Sequence, residues 1–320
     1  MSRGVALGMA LICLAGARPA PAQDGYPNHA IRVIGGFGPG STADIIGRVL
    51  APLVGKSLGQ QIIVEARPGA GSSIAAEYVA RAETDGYTLF IATTANSINA
   101  AISKLPFNLQ RDLAPIALIG TVPNILAVHP STGVSNVREL IALAKSSREP
   151  LLYGSSGVGT VSHLAGELFN QMAGVKMVHV SYAGSAQVMT DFLAGRVNLV
   201  FSPASAVLQH AADGKIRALA STEAKRTAAA PDLPTVAESG LPGYETGLWF
   251  GLLAPAGTPR PIVDKLSAAV NEALKSEEVI APLRKQGIDV VGGDPDAFAA
   301  YIDRESRKWL SVAETAGLKK

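Results

Sequence analysis

The chain has 320 residues, of which 48% are hydrophobic and 17% charged, with 28 basic and 26 acidic side chains and a formal net charge of +2. It is too apolar for a disordered chain and, at ~150 residues per domain, long enough for about two. No basic run or charge excess marks a nucleic-acid surface, so nucleic acid is excluded as a partner.

Residues 1–22 read as a secretory signal peptide. Arg3 supplies the positive start, Val5 to Gly16 is apolar, and Ala20-Pro21-Ala22 is a small-residue cleavage site. Loss of this segment takes away Arg3 and Arg18 and no acid, leaving a neutral exported protein with no long-range field to steer a charged partner. Cys13, the single cysteine, goes with it. Ala10-Leu11-Ile12 before Cys13 lack the small residue that lipoprotein processing requires. The expected product therefore has no lipid anchor, no disulfide, no thiolate ligand and no Cys nucleophile. No later run reaches ~18 apolar residues, so a soluble product is expected.

After the signal, short apolar runs alternate with helical patterns. Ile31 to Gly36 predicts a buried strand, and Ser41 to Leu58 a helix that Pro52 should kink or split. Gln61 to Glu65 predicts a strand, Ser72 to Ala82 a helix capped by Ser72 or Ser73, and Tyr87 to Thr93 a strand. Leu113 to Val128 is a long apolar stretch interrupted by Pro115 and Pro123, and Ser135 opens a helix running to Ser147. Strands Leu151–Gly154, Met177–Tyr182 and Val197–Phe201 each lead into a helix: Thr160–Met172, Ser185–Ala194 and Ala204–Ala212. Ile216 to Ala220 is a further strand, Pro231 to Pro242 a loop with one short helix, and Leu248 to Leu253 a strand. From Pro259 onward the pattern is helical.

Strand–helix alternation with β-branched strands indicates parallel sheets covered by helices. Two such runs make two α/β lobes. The helical tail has no sheet of its own and is expected to pack on the first lobe, which makes that lobe discontinuous.

The motifs of common enzymes are missing. There is no H-E-x-x-H pattern, and the Gly-rich stretch Gly35 to Thr42 carries no P-loop lysine. Gly154-Ser155-Ser156-Gly157-Val158 has valine where a nucleophile elbow needs glycine. The histidines at 29, 129, 163, 179 and 210 show no metal-ligand spacing, so neither cofactor nor metal is expected.

What recurs is a local design. Small hydroxyl and glycine residues follow strand ends where helices begin: Phe37-Gly38-Pro39-Gly40-Ser41-Thr42, Thr93-Thr94-Ala95-Asn96-Ser97, Ser155-Ser156-Gly157-Val158-Gly159-Thr160, Ala183-Gly184-Ser185 and Ser202-Pro203-Ala204-Ser205. Ligands of parallel α/β sheets bind outside the carboxyl ends of strands. A helix start offers free N–H donors and about half a positive charge to an anion. Singly, each segment is an ordinary turn or cap. Five of them across both halves indicate an anion site between lobes, held by dipoles, hydroxyls and waters, since none contains Lys or Arg.

These segments, with Glu65-Ala66-Arg67-Pro68-Gly69-Ala70-Gly71, Asp85-Gly86-Tyr87-Thr88-Leu89, His163-Leu164-Ala165-Gly166-Glu167, Leu233-Pro234-Thr235-Val236-Ala237-Glu238 and Trp249-Phe250-Gly251-Leu252, occur in an order and spacing that resembles the Bug-type extracytoplasmic solute-binding receptors of tripartite tricarboxylate transporters. The resemblance runs from Tyr26-Pro27 to the C-terminus. It implies a two-lobed, clam-shell periplasmic-binding-protein fold, each lobe a mostly parallel sheet flanked by helices. Residues 23–123 with 250–320 would form lobe 1 and residues 124–249 lobe 2. A small organic carboxylate would be captured in the cleft and delivered by a monomer to the membrane subunits of a transporter, with no chemistry done.

Carried over by segment, the ligand-binding residues would be Phe37, Gly38, Gly40, Ser41 and Thr42, then Thr93, Thr94 and Asn96 from lobe 1. Lobe 2 would supply Ser155, Ser156, Gly159, Thr160, Tyr182, Gly184, Ser185 and Ser202. Two departures matter. Ser202 stands where amino-acid-binding relatives carry an Asp for the ligand ammonium, which disfavours an amino acid by roughly 1.5–3 kcal/mol. Ala183 stands where the family often has Arg or Lys. Asp44 is read as helix-stabilising, His163 as a packing or loop-bonding residue, and Trp249 and Phe250 as core or hinge at the return crossing between lobes.

Two other readings stand beside this one. In the first, the closed receptor contacts the periplasmic domain of a signalling kinase, and a neighbouring sensor gene rather than transporter genes would mark it. In the second, the chain is an exported α/β hydrolase or isomerase using Ser155 or Ser156 with His163, which lacks both an elbow and a third group.

Overall fold

The computed structural model describes residues 25–318, so the signal-peptide expectation for residues 1–22 lies outside the described residues. Its strands are β1 (Ile31–Gly35), β2 (Ile62–Ala66), β3 (Thr88–Thr93), β4 (Leu113–Val128), β5 (Leu152–Ser155), β6 (Val178–Ser181), β7 (Leu199–Pro203), β8 (Arg217–Ser221), β9 (Gly247–Pro255) and β10 (Asp289–Val290). Its helices are α1 (Thr42–Leu58), α2 (Ser73–Ala80), α3 (Thr94–Ile102), α4 (Leu109–Asp112), α5 (Val137–Ser146), α6 (Val161–Ala173), α7 (Ser185–Leu193), α8 (Ala204–Ala212), α9 (Arg260–Ala273), α10 (Glu277–Lys285) and α11 (Pro295–Thr315).

The strands line up as β2-β1-β3-β9-β4-β7-β5-β6, with β8 and β10 also paired to β4. Two parallel wings result, β2-β1-β3 and β7-β5-β6. They are joined by an antiparallel centre in which β9 pairs β3 and β4, and β4 pairs β7 and β8. Strand β4 changes partner along its length. Residues 113–123 pair with β9, and residues 124–128 pair with β7 and β8.

Each wing is buried on both faces. On the first, Ile46, Leu50 and Val54 of α1 meet Leu266 of α9 and Leu283 of α10. Its other face carries Ala76 and Val79 of α2 with Phe298 and Ile302 of α11. On the second wing, Leu164 and Phe169 of α6 pack with Leu140 of α5, and Val188 and Phe192 of α7 with Val207 of α8 cover the opposite face. Trp309 and Val312, from the end of α11, join the α6 side. The tail therefore opens on the first wing and finishes on the second, where the sequence suggested packing on the first alone. Each large side chain removed from water contributes roughly 1.5–3 kcal/mol before chain entropy is charged.

Local rules gave way in several places. Helix α1 runs unbroken through Pro52, which lies on its exposed side, where water can satisfy the carbonyl that proline leaves unpaired. Pro115 and Pro123 do not interrupt β4; a register shift follows Pro115, and Pro123 stands where the strand passes from β9 to β7 and β8. Helix α5 is capped by Asn136, whose Oδ1 accepts from Glu139 N, while Ser135 instead donates its N–H and hydroxyl to the Glu139 carboxylate. Residues 231–242 form turns without a helix. Thr235 and Glu238 cap one turn reciprocally, and Gly240 at φ +129° stops it.

Ser72 precedes α2 at φ +77° and makes no side-chain cap. It follows Ala70 and Gly71, also at positive φ, and presses on Gly36, where an added Cβ would sit 1.8 Å from Ser72 Oγ. Only glycine admits that approach at position 36.

The two wings are knotted where three segments meet. Thr222 donates its N–H to Asn124 O at 2.9 Å, and Thr246 N donates to Thr222 O at 2.8 Å. The Thr222 hydroxyl lies against the carbonyls of both Asn124 and Thr246. Next to this knot Glu223 Oε1 is sealed without a partner, and an added Cβ at Gly247 would sit 2.2 Å from it.

Burial first, then the nearby Glu245, Glu305 and Asp289, push the Glu223 carboxyl up to about 8, against a lowering pull from Lys308. The unfolded chain releases this proton near the ordinary 4.5, whereas the folded chain keeps it to about 8. Stability is therefore lost as pH rises through that window. Glu223→Gln removes the loss. Its melting temperature should exceed the native value by a margin that widens from pH 5 to pH 8, and a margin constant across that range contradicts the burial argument.

Candidate functional site

Strand β1 delivers the Phe37–Thr42 turn to the start of α1. Ser41 caps that helix by accepting from Asp44 N, and Asp44 accepts the Gly40 N–H at 2.9 Å. Arg48 beside it, one turn on, holds the Asp44 carboxyl below the usual range. The acid is thus committed to the turn and its own helix. Phe37, Gly38, Ser41 and Thr42 are half-buried and Gly40 is exposed.

Strand β3 delivers Thr93, Thr94 and Asn96. Thr93 Oγ1 accepts from Ala95 N, and Asn96 Oδ1 accepts from Thr93 N, a reciprocal cap on α3. Thr94 Oγ1 donates to Gly247 O at 3.2 Å and accepts from Trp249 N at 2.7 Å, so it ties α3 to the crossing strand β9. Both hydroxyls are consumed inside the fold. Asn96 Nδ2 is a buried donor left without a partner.

In the second wing, β5 delivers Ser155 to Thr160. Ser155 is buried, Thr160 caps α6 by accepting from His163 N, and Ser156, Gly159 and Thr160 are half-buried. The turn is tight because Gly157 and Gly159 take φ of +141° and +78°. Strand β6 leads to Tyr182, whose hydroxyl donates to Asp191 at 3.1 Å, and to Gly184 and Ser185 at the start of α7, which has no side-chain cap. Ser202 lies in β7, buried opposite Ile125.

The structure brings some of these segments together. Gly159 lies on Ile102 at the end of α3, and Gly157 lies near the Tyr182 carbonyl. The end of α3 and the starts of α6 and α7 therefore share one region. No hydrogen bond among the described residues joins the Phe37–Thr42 turn to the second wing. The five segments carry no Lys or Arg, and no metal-ligating cluster occurs among the described residues.

One pairing escaped the sequence reading. Ser155 Oγ shares a 2.6 Å hydrogen bond with His179 Nε2, not with His163. The His163 and His179 rings stack at 3.9 Å. His163 Nδ1 accepts from Gly159 N at 3.1 Å, so this nitrogen carries no proton. Burial pushes both imidazoles down to about 4, His179 being lowered further by His163 and raised by Glu167. The register that pairs Tyr153 with His179 and Ser155 with Ser181 was the available signal, because it sets His179 on the Ser155 side of the sheet. A hydrolytic Ser155–His163 pair does not form, and the serine hydroxyl is spent on Gly157 and His179.

A family model described as the tripartite tricarboxylate transporter family receptor, TctC, matches residues 46–318. The chain belongs to the TctC family. It is a solute-binding receptor and not an enzyme. Among solved structures, an R. palustris protein, Rpa4515, determined with adipate is 37% identical over 92% of this chain and 99% of its own, with a TM-score of 0.71. MatC from Rhodopseudomonas palustris with bound malate is 30% identical over 90% of this chain and 99% of its own, with a TM-score of 0.68. A TctC solute-binding protein from Polaromonas, without ligand, is 26% identical over 91% of this chain and 99% of its own, with a TM-score of 0.85. This TctC receptor thus has the α/β periplasmic-binding-protein fold.

Proposed function

We propose that this receptor is exported to the periplasm behind a cleaved signal peptide, captures a small organic dicarboxylate between two lobes, and hands it to the membrane subunits of a tripartite transporter. Lobe 1 is built on residues 23–123 with 250–320, and its last helix, α11, ends against lobe 2, residues 124–249. One carboxylate is received by the helix starts at Phe37–Thr42, Asn96 and Ser155–Thr160. Tyr182, Gly184, Ser185 and Ser202 receive the distal part.

The observation that carries this is the set of cation-free helix starts at the carboxyl ends of strands in both wings. Such starts present amide donors to an anion and release it readily, because no ion pair has to be broken. The relatives solved with adipate and malate support a dicarboxylate.

A thermal-shift panel tests the reading. A ligand at a hundredfold excess over Kd adds about 2.7 kcal/mol, a rise of several degrees. Adipate or malate should raise melting and adipamide should not. Equal shifts from acid and amide, or none from any dicarboxylate, would refute it.

A further inference from the structure

The stacked imidazoles of His163 and His179 have no role in the account so far. They lie beneath the Ser155–Thr160 turn, and each meets a different part of it. His163 Nδ1 takes the Gly159 N–H at 3.1 Å. His179 Nε2 holds Ser155 Oγ at 2.6 Å, and that oxygen in turn accepts from Gly157 N at 3.2 Å. The N–H groups of the two positive-φ glycines are thus both satisfied from below, one directly and one through the serine. The groups facing the pair are Ser155 and Tyr153 from β5 and Glu167 from α6. Tyr153 lies 5.1 Å ring to ring from His179, and Glu167 Oε1 is 3.9 Å from His163 Nε2 and also accepts the Tyr153 hydroxyl.

We propose that His163 and His179 are positioning residues for the carboxylate, fixing the Ser155–Thr160 turn so that the first amides of α6 point to the ligand. This rests on the dicarboxylate reading above. With Gly157 and Gly159 bonded from below and the His163 backbone N–H taken by Thr160, the donors left at this helix start are the Val161 and Ser162 amides. Without His163 the Gly159 N–H must find another partner, and without His179 the Ser155 hydroxyl that takes the Gly157 N–H is no longer held; glycine has the backbone freedom to swing both groups outward. The turn then loses the shape that pre-orders the site, and affinity falls because ordering must be supplied on binding. A protonated His163 cannot accept from Gly159, so the arrangement needs the uncharged ring.

The test uses the full receptor with adipate and malate as probes, in four variants and by imidazole titration. His163→Leu and His179→Leu remove the ring nitrogens that hold the turn and should weaken binding about tenfold or more. His163→Asn and His179→Gln place an amide where the ring nitrogen was and should stay within about threefold of native. NMR titration of the native protein should show the His163 midpoint falling on loading, because a ligand that favours the uncharged ring must, by linkage, disfavour its protonation. A packing role alone would lower melting without moving Kd or this midpoint. Leucine variants that bind with native Kd, or a His163 midpoint unmoved on loading, overturn the proposal. If the leucine variants do not fold, the native titration decides it. If the native receptor binds neither probe, the dicarboxylate reading fails and this falls with it; binding with an unmoved midpoint removes the histidine role alone.

Discussion

Trp249→Ala should destabilise the receptor by about 3–5 kcal/mol, the range for truncating a large core aromatic. Trp249 is fully buried on β9. Its indole meets Phe298 at 5.7 Å and Tyr301 at 6.1 Å, both edge to face, so it is the seat of α11 on the crossing strand. Its backbone N–H, which the substitution keeps, donates to Thr94 Oγ1 at the start of α3. Removing the side chain opens a cavity beneath the helix that spans both wings, and collapse is resisted because β9 is held by β3 and β4. Melting should fall on the order of 10 °C. Trp249→Phe keeps most of the contact and should lose far less. A loss under about 1 kcal/mol by denaturant titration would contradict the placement.

Ser156→Asp should weaken dicarboxylate binding on the order of 100-fold. Ser156 is half-buried in the turn before α6 and its side chain makes no hydrogen bond among the described residues, so the change leaves the fold intact. A second carboxylate ~5 Å from the ligand's, at an effective dielectric near 20, costs about 3 kcal/mol. No cation in the turn offsets it. The neutral Ser156→Asn, similar in size, should weaken binding less than tenfold, which separates charge from bulk. Calorimetry of both variants checks this, and an aspartate variant that binds adipate like the native protein would contradict the site.

Much of the architecture was legible because it rests on local pattern. Apolar strand runs, Gly and Pro turns and periodic helices gave the alternation that becomes β1 to α8. The misreadings have one physical origin, that tertiary partners override local rules. Pro52 faces water, Pro115 borders a register shift, and Pro123 stands where β4 changes partner. Asn136 outcompetes Ser135 because Glu139 reaches back to Ser135 instead.

The site divides in the same way. The helix starts were legible as segments, since glycine and hydroxyl residues after a strand are a local signal. Which atoms remain free was not. Thr94 looks like a ligand donor until β9 claims its oxygen, and Ser155 looks free until β6 brings in His179. Both partners are distant in sequence, and only strand register joins them.

The central claim is capture of a carboxylate by amides and hydroxyls without an ion pair. Its most direct test is calorimetric titration of the receptor, unfolded and refolded to strip carried ligand, with adipate and separately with adipamide at pH 7.5. Adipate should bind at micromolar Kd, about −8 kcal/mol, and adipamide at least 100-fold more weakly. Equal binding of the two, or no heat from adipate and malate alike, would contradict the account.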